Sequence, residues 1–345
     1  MVLSLQTPPY GGEGYDILLE RGLLHRASQA LDFGDRALIV TDDGVPAQYA
    51  DALLAQLPTA ERVILPHGEA TKCPDCYLSL LRTLAQKGFT RRDCVIALGG
   101  GVMGDLAGFA AATYMRGIRF VNIPTTLLSM VDSSIGGKVA IDMDDVKNIA
   151  GAFYQPSRVL IDPDTLDTLD DRQLRAGLAE AIKMAATCDA ELFESLEALP
   201  AERMRASLET IIEQSLRIKK AVVEQDPAEK GLRRVLNFGH TIGHAIESSQ
   251  SGALLHGECV ALGMLPMCSE PVRIRLETLL RRVGLPTRVR TTPDALAHFL
   301  SLDKKKSGAG IVTVYVEQIG SYQFRNMRVE DILAQLDPIL QEGDA

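Results

Sequence analysis

The stretch "DCVIALGGGVMGDLAGFAAATYM", residues 93–115, runs from an apolar segment through three consecutive glycines into an alanine-rich helical pattern. Strand, glycine turn and helix in that order are the core of a mononucleotide-binding unit. Gly99-Gly100-Gly101-Val102-Met103-Gly104 matches G-x-G-x-x-G. Glycines there let the backbone approach a diphosphate, and a helix N-terminus favours its negative charge. The competing reading is a tight turn that lets the helix pack closely. Two details depart from the usual dinucleotide fold. The loop follows the third predicted strand, and the next strand, "IRFVNIP", does not end in an acidic residue. Asp42, ending the first predicted strand, is the substitute for the ribose contact.

Working outward, "RALIVTD" (36–42), "RVILP" (62–66) and "IRFVNIP" (118–124) read as further buried strands. "VPAQYADALLAQL" and "DCYLSLLRTLAQKG" lie between strands with helical spacing, the second stopped by Gly88. Such alternation implies a parallel sheet covered on both faces. After "RVLIDP" (158–163) the helical period dominates to about residue 301, and "GIVTVYVEQIGSYQF" (310–324) reads as a hairpin turning at Ile319-Gly320. The expected organisation is an α/β Rossmann-like domain over 1–157 and a mostly α-helical domain over 158–345. The short connection predicts a cleft between them, a common ligand location.

Composition narrows the class. The chain has 345 residues, 46 % hydrophobic and 23 % charged, which suits a soluble two-domain protein. No eighteen-residue apolar run and no basic-then-apolar leader are present, so the expectation is a cytoplasmic protein without membrane partners. A net charge of −9 without like-charge blocks argues against a nucleic-acid surface. The chain has six cysteines; Cys73 and Cys76 form C-x-x-C, but no second pair completes a four-sulfur site. Incidental or structural thiols are expected.

Three of the six histidines fall close together: His240 and His244 in "LNFGHTIGHAIE" (236–247) and His256 in "LLHGE" (254–258). On a helix, residues four apart share a face. A catalytic zinc site needs a third protein ligand and an open position. His256, Glu258 or Glu180 of "LAEAIK" are candidates for that ligand. A hydrogen-bonded core histidine is the bland alternative. Cations on motif-like segments are Arg116, Lys138, Lys147, Lys183, Lys219 and Arg233. Singly each reads as surface charge; together they suit a small substrate carrying phosphate and carboxylate groups.

With these residues in hand the chain resembles the 3-dehydroquinate synthases, of the sugar-phosphate cyclase superfamily. The resemblance covers nearly the whole chain. It rests on "GGGVMGDLAGFAAATYMRGIRFVNIPTTLLSMVDSSIGGKVAID", "KNIAGAFYQP", "GLAEAIK", "GLRRVLNFGHTIGHAIE" and "LLHGE", in that order. It implies a homodimeric enzyme of the shikimate pathway, leading to chorismate and the aromatic amino acids. The implied cofactors are NAD and a divalent metal, zinc with cobalt as an alternative. The implied reaction takes 3-deoxy-D-arabino-heptulosonate 7-phosphate to 3-dehydroquinate and phosphate. Transient oxidation by NAD, phosphate elimination, re-reduction and intramolecular aldol closure make the net reaction a lyase reaction.

By resemblance the metal ligands are Glu180, His240 and His256, and His244 becomes a substrate and proton-relay residue. The other implied substrate positions are Asp132, Lys138, Asn148, Lys183, Lys219, Arg233 and Asn237. Lys304, in a lysine run, is expected at the phosphate, and Arg116 at the phosphate site of the neighbouring subunit. The implied NAD contacts begin with Asp42, Glu69, Lys72, Gly101, Val102 and Asp105. They continue with Thr125, Thr126, Lys138, Lys147 and Thr168. Two departures stand out. Gly44 replaces a frequent asparagine near the adenosine, and "LPMCSEPVRIRLETLLRRVGLP" (265–286) is short, as if a helix were trimmed. The alternatives are an inosose- or valiolone-type cyclase, a metal-dependent polyol dehydrogenase and a non-catalytic scaffold. Arg233, Asn237 and His244 together favour a carboxylate-bearing substrate, and the intact ligand set argues against a scaffold.

Overall fold

The computed structural model describes residues 1–6, 14–144, 146–250, 252–307 and 310–341, with the side chains of 302–307 outside the description. The chain forms two compact units, Met1–Asp170 with Lys219–Ala228, and Asp171–Ile218 with Glu229–Ala345. The first unit extends past the expected division after residue 157 because Arg158–Ile161 is a strand of its sheet.

The strands of the first unit's main sheet are β1 (Val2–Leu5), β2 (Tyr15–Leu19), β3 (Ala37–Asp42), β4 (Ala60–Leu65), β5 (Cys94–Gly99), β6 (Arg119–Pro124) and β9 (Arg158–Ile161). They lie in the order β1-β2-β9-β6-β5-β3-β4, parallel except for β1 against β2. Four of these were legible in the first half as apolar runs; β1, β2 and β9 were not read as strands, "RVLIDP" having served only to mark where the pattern changes. A separate hairpin, β7 (Lys138–Met143) with β8 (Val146–Phe153), was also unforeseen. Strand β8 is rich in glycine, alanine and polar residues and is largely exposed, so it carries no apolar run to read.

Both sheet faces are buried, as parallel sheets require. Ile39, Ile96, Leu98, Val121 and Ile123 pack on one face with Leu23, Tyr49 and Leu53, the last two from α2 (Ala47–Gln56). Leu38, Val40, Val95, Ala97 and Phe120 point the other way. They meet Leu80 and Leu84 of α3 (Pro74–Gln86) and Met103 and Leu106 of α4 (Gly101–Thr113). Helix α1 (Ala27–Ala30) is one turn on the first face. Strands β3 and β5 are neighbours, yet the helices that follow them cover opposite faces. This reversal of direction is a topological switch point, at whose strand carboxyl ends open α/β sheets bind ligands.

The second unit is helical: α5 (Asp171–Cys188), α6 (Ala190–Ala198), most of α7 (Leu208–Gln225), α8 (His240–Ser249), α9 (His256–Met264), α10 (Glu270–Arg282), α11 (Pro293–Ser307) and α12 (Val329–Leu333). Its hairpin pairs β10 (Ile311–Tyr315) with β11 (Gln323–Met327), ending beyond the expected residue 324. Gly320, at φ +82°, sits in the expected turn. The short 265–275 segment makes one 3-10 turn and then pairs Cys268 with Val316, next to β10, before α10 begins. No helix among the described residues is long and apolar enough to cross a membrane.

Candidate active site

Helix α5 begins polar and becomes continuously buried from Ala176 to Thr187. Alanine and glycine dominate that stretch, so neighbouring helices approach its backbone closely. At Gly257 of α9 a Cβ would stand 1.9 Å from the Ala176 carbonyl oxygen, and at Gly263 one would stand 2.0 Å from that of Gly239. Only glycine permits these backbone-to-backbone contacts. They draw α5, α8 and α9 together, and the polar side chains converge where the helices meet.

Glu180 and Lys183, one turn apart on α5, are each 1 % exposed and form an ion pair. The Glu180 carboxylate accepts no well-directed hydrogen bond among the described residues. Its Oε1 lies 3.4 Å from His256 Nε2 and 3.8 Å from His240 Nε2. The ligand nitrogens of His240, His244 and His256 all lie within 4.8 Å of one another. A buried carboxylate without directed donors is costly unless a cation compensates it. Lys183 supplies part of that compensation. The oxygen with the His240 and His256 imidazoles, and the His244 ring beside those two, offers donors that fit a divalent metal of the zinc class.

The protonation states agree with that fit. Burial, then the Lys183 cation and the two other imidazoles, hold His240 well below 6.5 and therefore neutral. Its Nδ1 lies 3.2 Å from the Phe238 carbonyl oxygen. A carbonyl only accepts, so Nδ1 carries the proton and Nε2 keeps its lone pair. Burial works against a charged His256, but the carboxylates of Glu180 and Glu247 outweigh it and raise the group to about 9 in the metal-free protein. His244 is more exposed than the other two histidines, on the same helix face as His240.

Glu258 does not join this cluster. It receives a two-pronged pair from Arg172, at 2.7 Å to each oxygen, and its Oε2 accepts the Leu255 backbone N–H at 2.8 Å. Of the alternatives weighed for the third ligand, Glu258 is thus occupied in closing the first turn of α9. Sequence reading missed Arg172 and Glu247. The sequence signal for Glu247 is its place seven residues after His240, two helical turns along the same face.

The expected substrate residues divide between the units. Lys183, Arg233, Asn237 and His244 belong to the second. Arg233 is 2 % exposed, and Asn237 Nδ2 donates to Glu229 Oε1 at 2.9 Å. Asp132, Lys138, Asn148 and Lys219 belong to the first. Buried Lys219 donates to both the backbone oxygen and the carboxylate of Asp132. Lys138 and Asn148 are exposed on the β7–β8 hairpin, and Asn148 holds a φ of +55° with its N–H on Asp142 Oδ1. Arg116 is exposed, and Met115, Arg116 and Gly117 all have positive φ. The Lys304 side chain lies outside the described residues.

Besides Lys138, on the hairpin just described, the expected dinucleotide residues fall into two groups and one outlier. Asp42 ends β3 beside the glycine loop that ends β5, so a Cβ on Gly99 would stand 3.6 Å from Asp42 Oδ2. An acid therefore stands beside the loop, although the loop's own following strand ends in none. Burial raises the Asp42 carboxyl, while the Gly44 and Val45 N–H groups oppose the shift. Thr125 N donates to Gly99 O, and Thr126 borders Gly100. Gly101 and Val102 open α4. Farther along that helix, Gly104 and Gly108 serve packing, since side chains there would meet Asn122 and Val139. The close-packing reading therefore holds for the glycines inside the helix.

The second group is ionic. Buried Lys72 pairs with Asp105 at 2.7 Å and lies 3.8 Å from Glu69, which Lys147 approaches to 3.9 Å. Burial resists the Lys72 charge, but Asp105 and Glu69 outweigh it and raise the ammonium. Burial also raises Asp105, against the pull of Lys72. Thr168 is the outlier: it sits apart from the ionic group, with Oγ1 2.9 Å from the Tyr49 hydroxyl. The Cys73–Cys76 pair stands at the start of α3. Burial and the neighbouring Cys73 push the Cys76 thiol up to about 11, which disfavours the thiolate that metal binding or exchange needs. Among the described residues no further ligand group joins the pair.

Residues 62–176 match the family model "3-dehydroquinate synthase N-terminal", and residues 177–306 match "3-dehydroquinate synthase C-terminal". The 3-dehydroquinate synthase of Enterococcus faecalis (strain OG1RF) is 40 % identical over 98 % of this chain and 99 % of its own. Among solved structures, ValA, the 2-epi-5-epi-valiolone synthase of Streptomyces hygroscopicus subsp. jinggangensis 5008 with NAD+ and Zn2+ bound, superposes with a TM-score of 0.88. It is 30 % identical and covers 96 % of this chain and 98 % of its own. A 2-deoxy-scyllo-inosose synthase complexed with carbaglucose-6-phosphate, NAD+ and Co2+ also gives 0.88, at 25 % identity over 97 % and 99 %.

Proposed function

The chain belongs to the 3-dehydroquinate synthase family, and from that premise we propose that it converts 3-deoxy-D-arabino-heptulosonate 7-phosphate to 3-dehydroquinate and phosphate. The observation that carries this reading is the buried Glu180 carboxylate flanked by His240 and His256. Glu180, His240 and His256 would hold a zinc or cobalt ion, and the strand ends at Asp42 and Gly99, with Lys72 and Asp105, would hold NAD. When bound, these groups supply a Lewis acid for substrate hydroxyls and a hydride acceptor that is restored within the same turnover.

The protein's own groups then bind, orient and neutralise. Arg233 and Lys183 lie in nearly water-free surroundings, where an anionic substrate group gains more from a nearby cation than it would at the surface. Arg233 offers the planar fork suited to a carboxylate. Asn237, held by Glu229, and His244, the more exposed imidazole, orient hydroxyls, and His244 passes a proton. Lys138, Asn148, Lys304 and the Lys219–Asp132 pair complete the substrate set. The substrate's phosphate accepts the proton of its own elimination, so the protein needs only to position it.

The assembly is a homodimer in this reading, with Arg116 reaching the phosphate site of the second copy. Its support is local. Arg116 is exposed on a turn whose backbone is held in the left-handed region, a cost of about 1–3 kcal/mol per such residue that accompanies functional sites. Ile149 and Phe153 also expose one apolar face of β8. We place the enzyme in the cytoplasm, without nucleic-acid or membrane partners.

The test is an incubation of purified protein with the heptulosonate phosphate, NAD and zinc. Phosphate and dehydroquinate appear together without net NADH. Net NADH from a polyol would instead make the chain a dehydrogenase, and turnover of another sugar phosphate with none of the heptulosonate phosphate would make it another cyclase.

A further inference from the structure

His240 and His256 present Nε2 to the same carboxylate oxygen, and each has its Nδ1 engaged behind. For His240 the partner is the Phe238 carbonyl at 3.2 Å; for His256 it is the Glu247 carboxylate, Oε2 at 3.3 Å. Glu247 is two turns beyond His240 on α8, with its side chain only 13 % exposed, whereas His256 opens α9. The contact therefore ties the ring of one helix to the carboxylate of the next.

We propose that Glu247 is the positioning residue for His256, fixing the ring orientation and the Nδ1–H tautomer that leaves Nε2 free to bind a metal ion. The proposal rests on His256 being a ligand. An ionised carboxylate only accepts hydrogen bonds, so it selects the tautomer with the proton on Nδ1. It also makes the imidazole a stronger donor, as the outer partner does in carboxylate–histidine–metal triads. His256 Nε2 faces Glu180 Oε1 at 3.4 Å while Nδ1 faces Glu247, so a flip of the ring would carry Nε2 away from Glu180. His240 gets the same service from a backbone oxygen and tolerates side-chain change around it. His256 depends on one side chain.

The experiment titrates metal-free wild type, Glu247→Gln, Glu247→Ala, Glu180→Ala and His256→Ala with Co2+ and with Zn2+ in a chelator competition, recording the visible Co2+ spectrum. Affinity should fall about 10- to 100-fold for Glu247→Ala and less for Glu247→Gln, which keeps an acceptor without the charge. The Co2+ bands should shift in both, a change that a remote structural defect would not produce. Wild-type affinity and an unaltered spectrum in a folded Glu247 variant would overturn the proposal. If Glu247→Ala does not fold, Glu247→Gln alone decides. Glu180→Ala and His256→Ala report on the underlying reading. If they lose metal while the Glu247 variants do not, only the positioning role fails; if they keep it, the ligand assignment fails as well.

Discussion

His256 Nε2 lies 3.4 Å from Glu180 Oε1, although the two residues come from helices far apart in the chain. Most of the expected chemistry follows from this approach.

Substitution separates ligand from substrate roles. Glu180→Ala, His240→Ala and His256→Ala should each lose bound metal on dialysis and lose turnover by at least about 100-fold. His244→Ala should retain metal and lose turnover. Metal analysis of the dialysed proteins checks this. Metal lost from His244→Ala but kept by His256→Ala would reverse the assignment.

The metal-free protein should respond to pH through His256, whose folded value of about 9 stands above the ordinary 6.5. The proton on His256 therefore stabilises the metal-free fold. That contribution is complete below about pH 6.5 and is lost as pH rises through 9. Metal must displace the same proton, so affinity should climb by up to about tenfold per pH unit between 7 and 9. The gap in melting temperature between metal-loaded and metal-free protein should widen over that range. A gap that is flat from pH 7 to 9 would contradict the assignment.

Gly257→Ala tests the helix contact that builds the site. Its Cβ would meet the Ala176 backbone oxygen at 1.9 Å, and backbone cannot swing aside as a flexible side chain can. The expected cost is at the upper end of overpacking, about 3 kcal/mol, with metal affinity falling in parallel. Denaturant melts and metal titration measure both. Gly22→Ala, where a Cβ meets nothing within 4 Å, is the comparison for the left-handed backbone alone.

Arg116→Ala should lower turnover by about 100- to 1,000-fold, the range for losing one charge-stabilising group, while leaving NAD affinity within about twofold. Mixed dimers of Arg116→Ala with Lys183→Ala chains should regain part of the activity if Arg116 serves the neighbouring copy. Mixtures no more active than the separate variants would place Arg116 in its own subunit's site.

Much of this was legible in local sequence. The runs at 37–42, 94–99 and 119–124 are central strands, apolar nearly throughout because parallel strands buried on both faces must be, while 60–65, at the sheet edge, keeps Glu61 and Arg62 and was legible from "RVILP". The histidine spacing on α8 was legible for the same local reason, since helix geometry alone puts positions 240 and 244 on one face. Strands β1, β2, β7, β8 and β9 escaped notice: β1, β2 and β9 are runs of only four or five residues, and β8 is largely exposed and carries no apolar run. The return of residues 219–228 to the first unit carries no local signal at all.

The sequence by itself determined the alternation of elements, the glycine loop and the inventory of ligating and cationic side chains, because short-range sterics and hydrophobic period are written residue by residue. Tertiary structure alone decided which of them meet. Sheet order set Asp42 beside Gly99, placing an acid next to the glycine loop. Helix packing through Gly257 and Gly263 brought Glu180 to His240 and His256, turned Glu258 to Arg172 and set Glu247 behind His256. Those choices depend on backbones approaching within a side chain's width, a property of two segments at once that no single stretch of sequence contains.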